Sequence, residues 1–484
     1  MDDKNIKKSV IMGAVWKFAE RIIAQAVSLI VSIIIARLVD PSDFGVVSIV
    51  TVFFAFANVI ISGGLNTALI QKKNADEDDY NTVFTISFIV AVIIYLILFV
   101  TAPFIAEVYH QPMLVGITRV LGFSLPIYAV KSVVCAYVSA NLQFRKFFFA
   151  TLGGTLVSAI VGIAMALNGF GAWALVAQQL TNTTIDTLIL FLVTKLKLSF
   201  RIAVARVKGL IQYGYKILLS SLLGVTITQI NPLFIGLKYT SADLSFYTKG
   251  RTFPEALSSS MTYTISAVLF PALSKYQDNK EELLRYTRMY MRLASFVVFP
   301  VMLGFAGIAE SFVTVFLGTK WIETIYYIQI ACFAMMFDVV AAGNCETIKA
   351  MGRSDIFLKI EVIKKTGYIV TLILFLLFSD TPKALAVSLI VFSVIQVIVN
   401  SIPNRKLIGY KGNYQLMDLV PNLVISLAMF AVVWWMGRLP IDTATKMGAQ
   451  IIAGVAVYVL LAVVTKNRAL GELWNFFKLR KNTK

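Results

Sequence analysis

Lys17, Arg21, Lys216 and Arg251 stand inside stretches that are otherwise almost wholly apolar. A charged side chain in hydrocarbon costs at least about 2.5 kcal/mol, so each must face a water-filled cavity, find a partner or snorkel to an interface. Lys17 and Lys216 lie near the ends of their stretches, where snorkelling is open to them. Their neighbours are polar at helical spacing. Lys17, Arg21, Gln25, Ser28 and Ser32 recur every three or four residues and so share one helical face, and Lys216, Ser220, Thr228 and Asn231 form a similar stripe. Two further stripes are Asn58, Ser62 and Asn66, and Ser258, Thr262 and Ser266 with Glu255 and Arg251 one and two turns above them. Polar faces inside a membrane either hydrogen-bond helices to one another or line a passage.

The stripes come in matched pairs. Sliding the sequence by about 200 positions brings Asp43 onto Asp243 and lays the first two stripe-bearing segments over their later counterparts. Internal repeats whose interface holds a site near the midplane are a recurrent transporter design, in which the halves rock about the site.

The elements carrying these stripes are membrane helices. The 484 residues are 58% hydrophobic and 14% charged, with a mean hydropathy of +0.79, which excludes a set of soluble domains. Runs of about 20 apolar residues, the length that crosses a hydrocarbon core, recur throughout. Residues 91–100 are apolar on every side, whereas a barrel strand would alternate. The first apolar run is too long for a signal-peptide core and has no small-residue cleavage site, so it reads as a retained helix. Breakers such as Asp40-Pro41, Asn168-Gly169, Asp380-Thr381-Pro382 and Leu439-Pro440 divide the chain into about fourteen spans, from 10–37 to 446–465. The fold class expected is all-α integral membrane: about fourteen transmembrane helices, as two pseudo-symmetric six-helix halves and a C-terminal pair. The corresponding domains are an N-terminal lobe at 1–208, a C-terminal lobe at 209–411, the extra pair at 412–466 and a tail at 467–484.

The net charge of +18 follows topology rather than nucleic acid, because the basic residues sit singly or in small groups between spans. Lys72 and Lys73, Arg145 and Lys146, the group from Lys195 to Lys208, and Arg405, Lys406 and Lys411 all fall on one side. That side is the cytoplasm by the positive-inside rule, which puts both termini there. The tail alternates basic residues with Leu473, Trp474, Phe476 and Phe477, a pattern for an amphipathic helix on an anionic leaflet. Cys135, Cys332 and Cys345 fall inside spans and read as packing residues, and His110 is a solitary loop residue. Neither a metal site nor a catalytic set is expected from them, and no nucleotide-binding phosphate loop is present.

Several segments resemble the polysaccharide and lipopolysaccharide exporter family, the Wzx-type flippases. They are Trp16, the run Ala36 to Gly45 and the run Gly64 to Gln71, followed by Tyr247 with Pro254, Leu269 to Ser274, Phe299-Pro300 with Gly304, Gly318 to Trp321, and Met351 to Ser354. The resemblance spans roughly residues 10–355; Ser245 departs from it where a glycine is expected. That family belongs to a superfamily with the multidrug antiporters and the peptidoglycan-precursor flippase. The resemblance implies translocation of an undecaprenyl-diphosphate-linked oligosaccharide from the cytoplasmic to the outer leaflet of the bacterial inner membrane, for surface polysaccharide. It further implies no cofactor, a coupling ion (sodium or proton), and membrane lipids, a glycan polymerase and glycosyltransferases as partners. The substrate-binding set is then Lys17, Arg21, Gln25, Asn58, Asn66, Lys216, Asn231, Arg251 and Glu255, with the cations on the diphosphate and the neutral side chains on sugar hydroxyls.

Two rivals make different demands. A multidrug cation antiporter needs an acidic intramembrane site, for which Asp186, Asp338, Glu346 and Glu361 are candidates, although lysines such as Lys349 and Lys364 are placed to pair with them. A membrane polymerase or ligase needs a sizeable outside loop for its catalytic groups, and none of the outside connections is long.

Overall fold

The computed structural model describes residues 3–72 and 75–472. Among them there is no strand, and the chain is a succession of helices. The first nine are α1 (Asp3–Leu38), α2 (Pro41–Ser62), α3 (Leu65–Gln71), α4 (Glu77–Val108), α5 (Met113–Gly122), α6 (Ser124–Ala140), α7 (Phe144–Leu167), α8 (Ala172–Thr194) and α9 (Val204–Lys238). Then follow α10 (Ser241–Lys275), α11 (Lys280–Phe312), α12 (Thr324–Met335), α13 (Asp338–Ala350), α14 (Ser354–Phe378), α15 (Pro382–Leu407), α16 (Gly412–Met436) and α17 (Thr443–Val464).

Among the described residues, ten segments are long and apolar enough to cross a membrane by themselves. Two of these, Met113–Ala140 and Thr324–Ala350, are each built of two successive helices. Four of the fourteen expected spans fall on α1, α8, α10 and α14, which carry charged or polar residues within their length; the described part of α1 contributes a shorter apolar helix, Ile23–Leu38. The breakers act as helix ends. Asp40-Pro41 opens α2 with proline in its first turn, Thr381 accepts from the Ala384 amide at the start of α15, and Asp442 caps α17.

The chain forms two compact units, Met1–Ser245 and Phe246–Lys484. Whereas the repeat assigns α9 to the later lobe, by its contacts α9 falls in the first unit. The expected span at 44–71 is broken at Gly63 and Gly64, both left-handed (φ 54° and 69°). Gly64 lies so close to α9 that a Cβ there would stand 2.2 Å from the Gly214 carbonyl oxygen. At the other end of α2, a Cβ on Gly45 would stand 1.7 Å from the Ser241 carbonyl oxygen. Only glycine lets backbone approach so nearly. Gly45→Ala is therefore expected to lower stability by about 1–3 kcal/mol, read as a fall in melting temperature of the purified protein, because backbone rather than a side-chain tip must yield.

The buried polar residues of α4 have a separate duty. Asn81 accepts from the Ser199 amide at 2.8 Å, Thr82 from the Ala203 amide at 3.0 Å and Thr85 from the Arg201 amide at 3.1 Å, which lays the connector between α8 and α9 along α4. Arg206 closes this clasp on Asp76, and its guanidinium holds the Asp76 carboxyl well down, at about 2.

In the second unit α16 and α17 pack on α11. Asp418 receives Arg288 at 2.9 and 3.0 Å and Arg292 at 3.0 Å, Asn422 donates to Ser295 at 2.7 Å, and the Tyr458 hydroxyl donates to the Phe296 carbonyl at 2.7 Å. The C-terminal pair is thus an integral part of that unit.

Candidate functional site

The stripe on α10 becomes the wall of a cavity. Arg251, Glu255, Ser258, Thr262 and Ser266 are spaced four, three, four and four apart, so their side chains descend one face of the helix. With Ser259 and Tyr263 from α10, and Asp338, Ala342 and Glu346 from α13, they line about 490 Å³ within the second unit. The helices that close it opposite, α12 and α13, are parted by a break around Met336 and Phe337 that leaves Asp338 in the first turn of α13.

Arg251 donates to the Tyr247 hydroxyl at 3.1 Å and lies 3.7 Å from the Glu255 carboxylate, while its Nε has no acceptor among the described residues. Glu255 is 61% exposed, so this i,i+4 pair is worth no more than about 0.5 kcal/mol. Arg251 is therefore positioned by Tyr247 but only lightly held, and it retains donors for a guest. The Ser258 hydroxyl lies 3.2 Å from both Asp338 and the Met335 carbonyl, and the Thr262 hydroxyl is buried without a partner among the described residues. A guanidinium, several hydroxyls and carboxylates in one pocket suit a polyanionic, hydroxyl-rich guest, with the acids accepting from hydroxyls.

Three carboxylates beside one guanidinium make this cavity more acidic than the stripes alone indicate. Two of the three are answered: Glu255 by Arg251, and Glu346 by Lys349 at 3.2 Å. Elsewhere Glu361 pairs with Lys364 at 2.5 Å and Asp186 with Lys131 at 2.5 Å. Of the four candidate antiporter acids, Asp338 makes no ion pair among the described residues.

The other expected binding residues are spread along the first unit. The side chains of Lys17 and Arg21 lie outside the described residues. Gln25 on α1 is half-buried. Asn58 on α2 and Asn66 on α3 are half-buried, with amide oxygens that meet no donor among the described residues. Asn231 on α9 is fully buried, whereas Lys216 is exposed, its ammonium 6.0 Å from the Tyr215 ring. Arg251 and Glu255 are thus the members that share one pocket. Sequence reasoning missed Tyr247 as the residue that orients Arg251. The i,i+4 spacing of the two was the available signal.

Helices, polar faces and cavity define a multi-pass helical membrane protein with a transporter fold. Residues 34–326 match the model of a family described as polysaccharide biosynthesis protein. The chain belongs to that family, in agreement with the resemblance carried by its motifs. An uncharacterized membrane protein in the cps region of Klebsiella pneumoniae is 22% identical over 98% of this chain and 99% of its own length. Lipopolysaccharide biosynthesis protein WzxC of Escherichia coli (strain K12) is 20% identical over 76% of each chain. In three dimensions the lipid II flippase MurJ, in an inward closed conformation, superposes with a TM-score of 0.75 at 13% identity, covering 95% of this chain and all of MurJ. An inward-facing multidrug resistance transporter of the MATE family reaches 0.60 at 12% identity, over 81% and 98% of the two chains.

Proposed function

We propose that this protein flips an undecaprenyl-diphosphate-linked oligosaccharide from the cytoplasmic to the outer leaflet of the bacterial inner membrane, as a transporter and not an enzyme, for surface polysaccharide assembly. The observation that carries the reading is Arg251, a guanidinium within a membrane helix with donors to spare, above a wall of hydroxyls in a cavity of about 490 Å³. A diphosphate headgroup with sugars cannot cross hydrocarbon bare; it needs fixed cations for its oxygens and hydrogen-bonding groups for its hydroxyls. Membership of the polysaccharide biosynthesis family and the MurJ-like fold support this over drug export.

Lys17, Arg21, Gln25, Asn58, Asn66, Lys216 and Asn231 complete the substrate path in this reading. Both termini face the cytoplasm, consistent with the basic loops. The lipid-linked product passes to a polymerase, and glycosyltransferases supply it. The driving force is an exchange of protons or sodium, and Asp338, the cavity carboxylate without an ion pair among the described residues, is the group we assign to it.

Reconstitution tests the whole reading. Proteoliposomes holding a fluorescent undecaprenyl-diphosphate oligosaccharide should show protein-dependent transfer between leaflets that an imposed proton or sodium gradient accelerates. Asp338→Asn should remove the response to the gradient at unchanged protein level. Absence of transfer, with uptake of a cationic dye instead, overturns the assignment in favour of a multidrug antiporter.

A further inference from the structure

Two cavities of the second unit lie in line along α11, α16 and α17. One, of about 680 Å³, opens where α17 ends and is lined by Arg292, Asp418, Asn422, Lys466 and Arg468 among others. The other, of about 280 Å³, is bounded by Pro300 and Gly304 of α11, Met429 and Val433 of α16, and Val455 and Tyr458 of α17. Ile425, which lines the first, is followed one turn later by Met429 and two turns later by Val433 on the same face of α16. From Asn422 to Val433 the helix rises about 16 Å at 1.5 Å per residue, close to the half-thickness of a hydrocarbon core. A polar chamber therefore continues into an apolar groove, the two together about one leaflet long.

The chamber carries spare positive charge. Its carboxylate, Asp418, is already engaged by Arg288 and Arg292, and Arg292 also holds Glu472. Lys466 and Arg468 remain, both exposed and with no acidic partner among the described residues. Lys466 is in the left-handed conformation (φ 49°), which ends α17 and turns the chain across the opening. The outer wall presents Leu416, Met417, Val420 and Val424, all exposed and apolar, as a lipid-facing surface would. Basic pockets between helices at the cytoplasmic surface are where anionic headgroups are held.

We propose that the chamber and groove between α11, α16 and α17 bind one anionic phospholipid of the inner leaflet, its phosphate on Lys466 and Arg468 and one acyl chain along Met429, Val433 and Tyr458. The site lies apart from the Arg251 cavity. It rests on the orientation proposed above only for the choice of leaflet, and it stands or falls without reference to oligosaccharide transport. A phospholipid fits better than a polyprenyl chain because the chamber and groove together span about one leaflet.

The test uses the full-length protein, purified and delipidated in detergent, with phosphatidylglycerol, phosphatidylcholine of the same acyl chains, undecaprenyl phosphate and inorganic phosphate as separate probes. Native mass spectrometry and thermal melting are the readouts. Phosphatidylglycerol is expected to be retained and to raise the melting temperature by several degrees, with phosphatidylcholine and inorganic phosphate much weaker. Lys466→Gln/Arg468→Gln should weaken phosphatidylglycerol binding at least tenfold while melting like the parent in phosphatidylcholine. Equal binding of inorganic phosphate, or undecaprenyl phosphate binding that phosphatidylglycerol cannot displace, overturns the assignment. So does a chain shortened after Glu472 that loses the lipid although Lys466 and Arg468 are intact, because the charge would then lie in the tail.

Discussion

Arg251→Ala and Arg251→Glu are expected to abolish appearance of the surface glycan while the protein stays in the membrane at its normal level. The guanidinium has little structural work to lose. Its partner Glu255 is largely exposed and 3.7 Å away, and Tyr247, which is almost wholly buried, keeps its own packing against Tyr327. Removing the charge should therefore cost the fold little. What it removes is charge-assisted hydrogen bonding to phosphate oxygens, worth about 1.5–3 kcal/mol, or roughly 10- to 150-fold in occupancy of the cavity. The Glu variant adds repulsion against the diphosphate and should be worse than the Ala variant. Arg251→Lys separates charge from geometry: an ammonium keeps the attraction but loses the planar fork, so it should restore only part of the export. Surface glycan quantified against membrane-fraction protein reads all three. Export by the Glu variant at the parental rate would remove Arg251 from the substrate path.

Much of this site was legible because it is local. Spacing along one helix put Arg251, Glu255, Ser258, Thr262 and Ser266 on a single face, and the same rule anticipated that Glu346 and Glu361 meet Lys349 and Lys364, each three residues away. Hydropathy found the membrane helices for a related reason, since a continuous apolar run has no other use. Where polar residues share a span, as in α8, α10 and α14, the same measure weakens, and only the breakers and the charge pattern of the loops kept the divisions in place. Pairings across the fold left no trace in spacing. Lys131 meets Asp186 from 55 residues away, Thr85 meets Arg201 from 116, and Arg288 meets Asp418 from 130. Gly64 reads as an ordinary helix residue until the Gly214 carbonyl of α9 is set against it. The break between α2 and α3 is thus a property of the packed pair, invisible in either segment alone.

Asp418→Asn is expected to be the most destabilising single change, by about 3–5 kcal/mol, and to loosen α16 and α17 from α11. The carboxylate is 1% exposed and accepts from Arg288 Nε and Nη2, from Arg292 Nη1 and from the Tyr410 hydroxyl at 2.9 to 3.0 Å. An amide has one oxygen in place of two, and its NH2 would face a guanidinium that also only donates. Arg288, partly buried, then loses its counter-charge and Arg292 keeps only Glu472, and it is this uncompensated charge, more than any lost attraction, that sets the cost. The melting temperature should fall by several degrees. Glu282→Gln is the control: its partner Arg285 is 67% exposed, and so solvated a pair contributes little to stability. Arg288→Met/Arg292→Met/Asp418→Leu should recover much of the lost stability, because apolar side chains of similar volume can replace a buried ionic cluster at little or no cost. If the triple variant melts lower than Asp418→Asn, the network contributes more than charge balance. It would then be the element that fixes where α16 lies on α11.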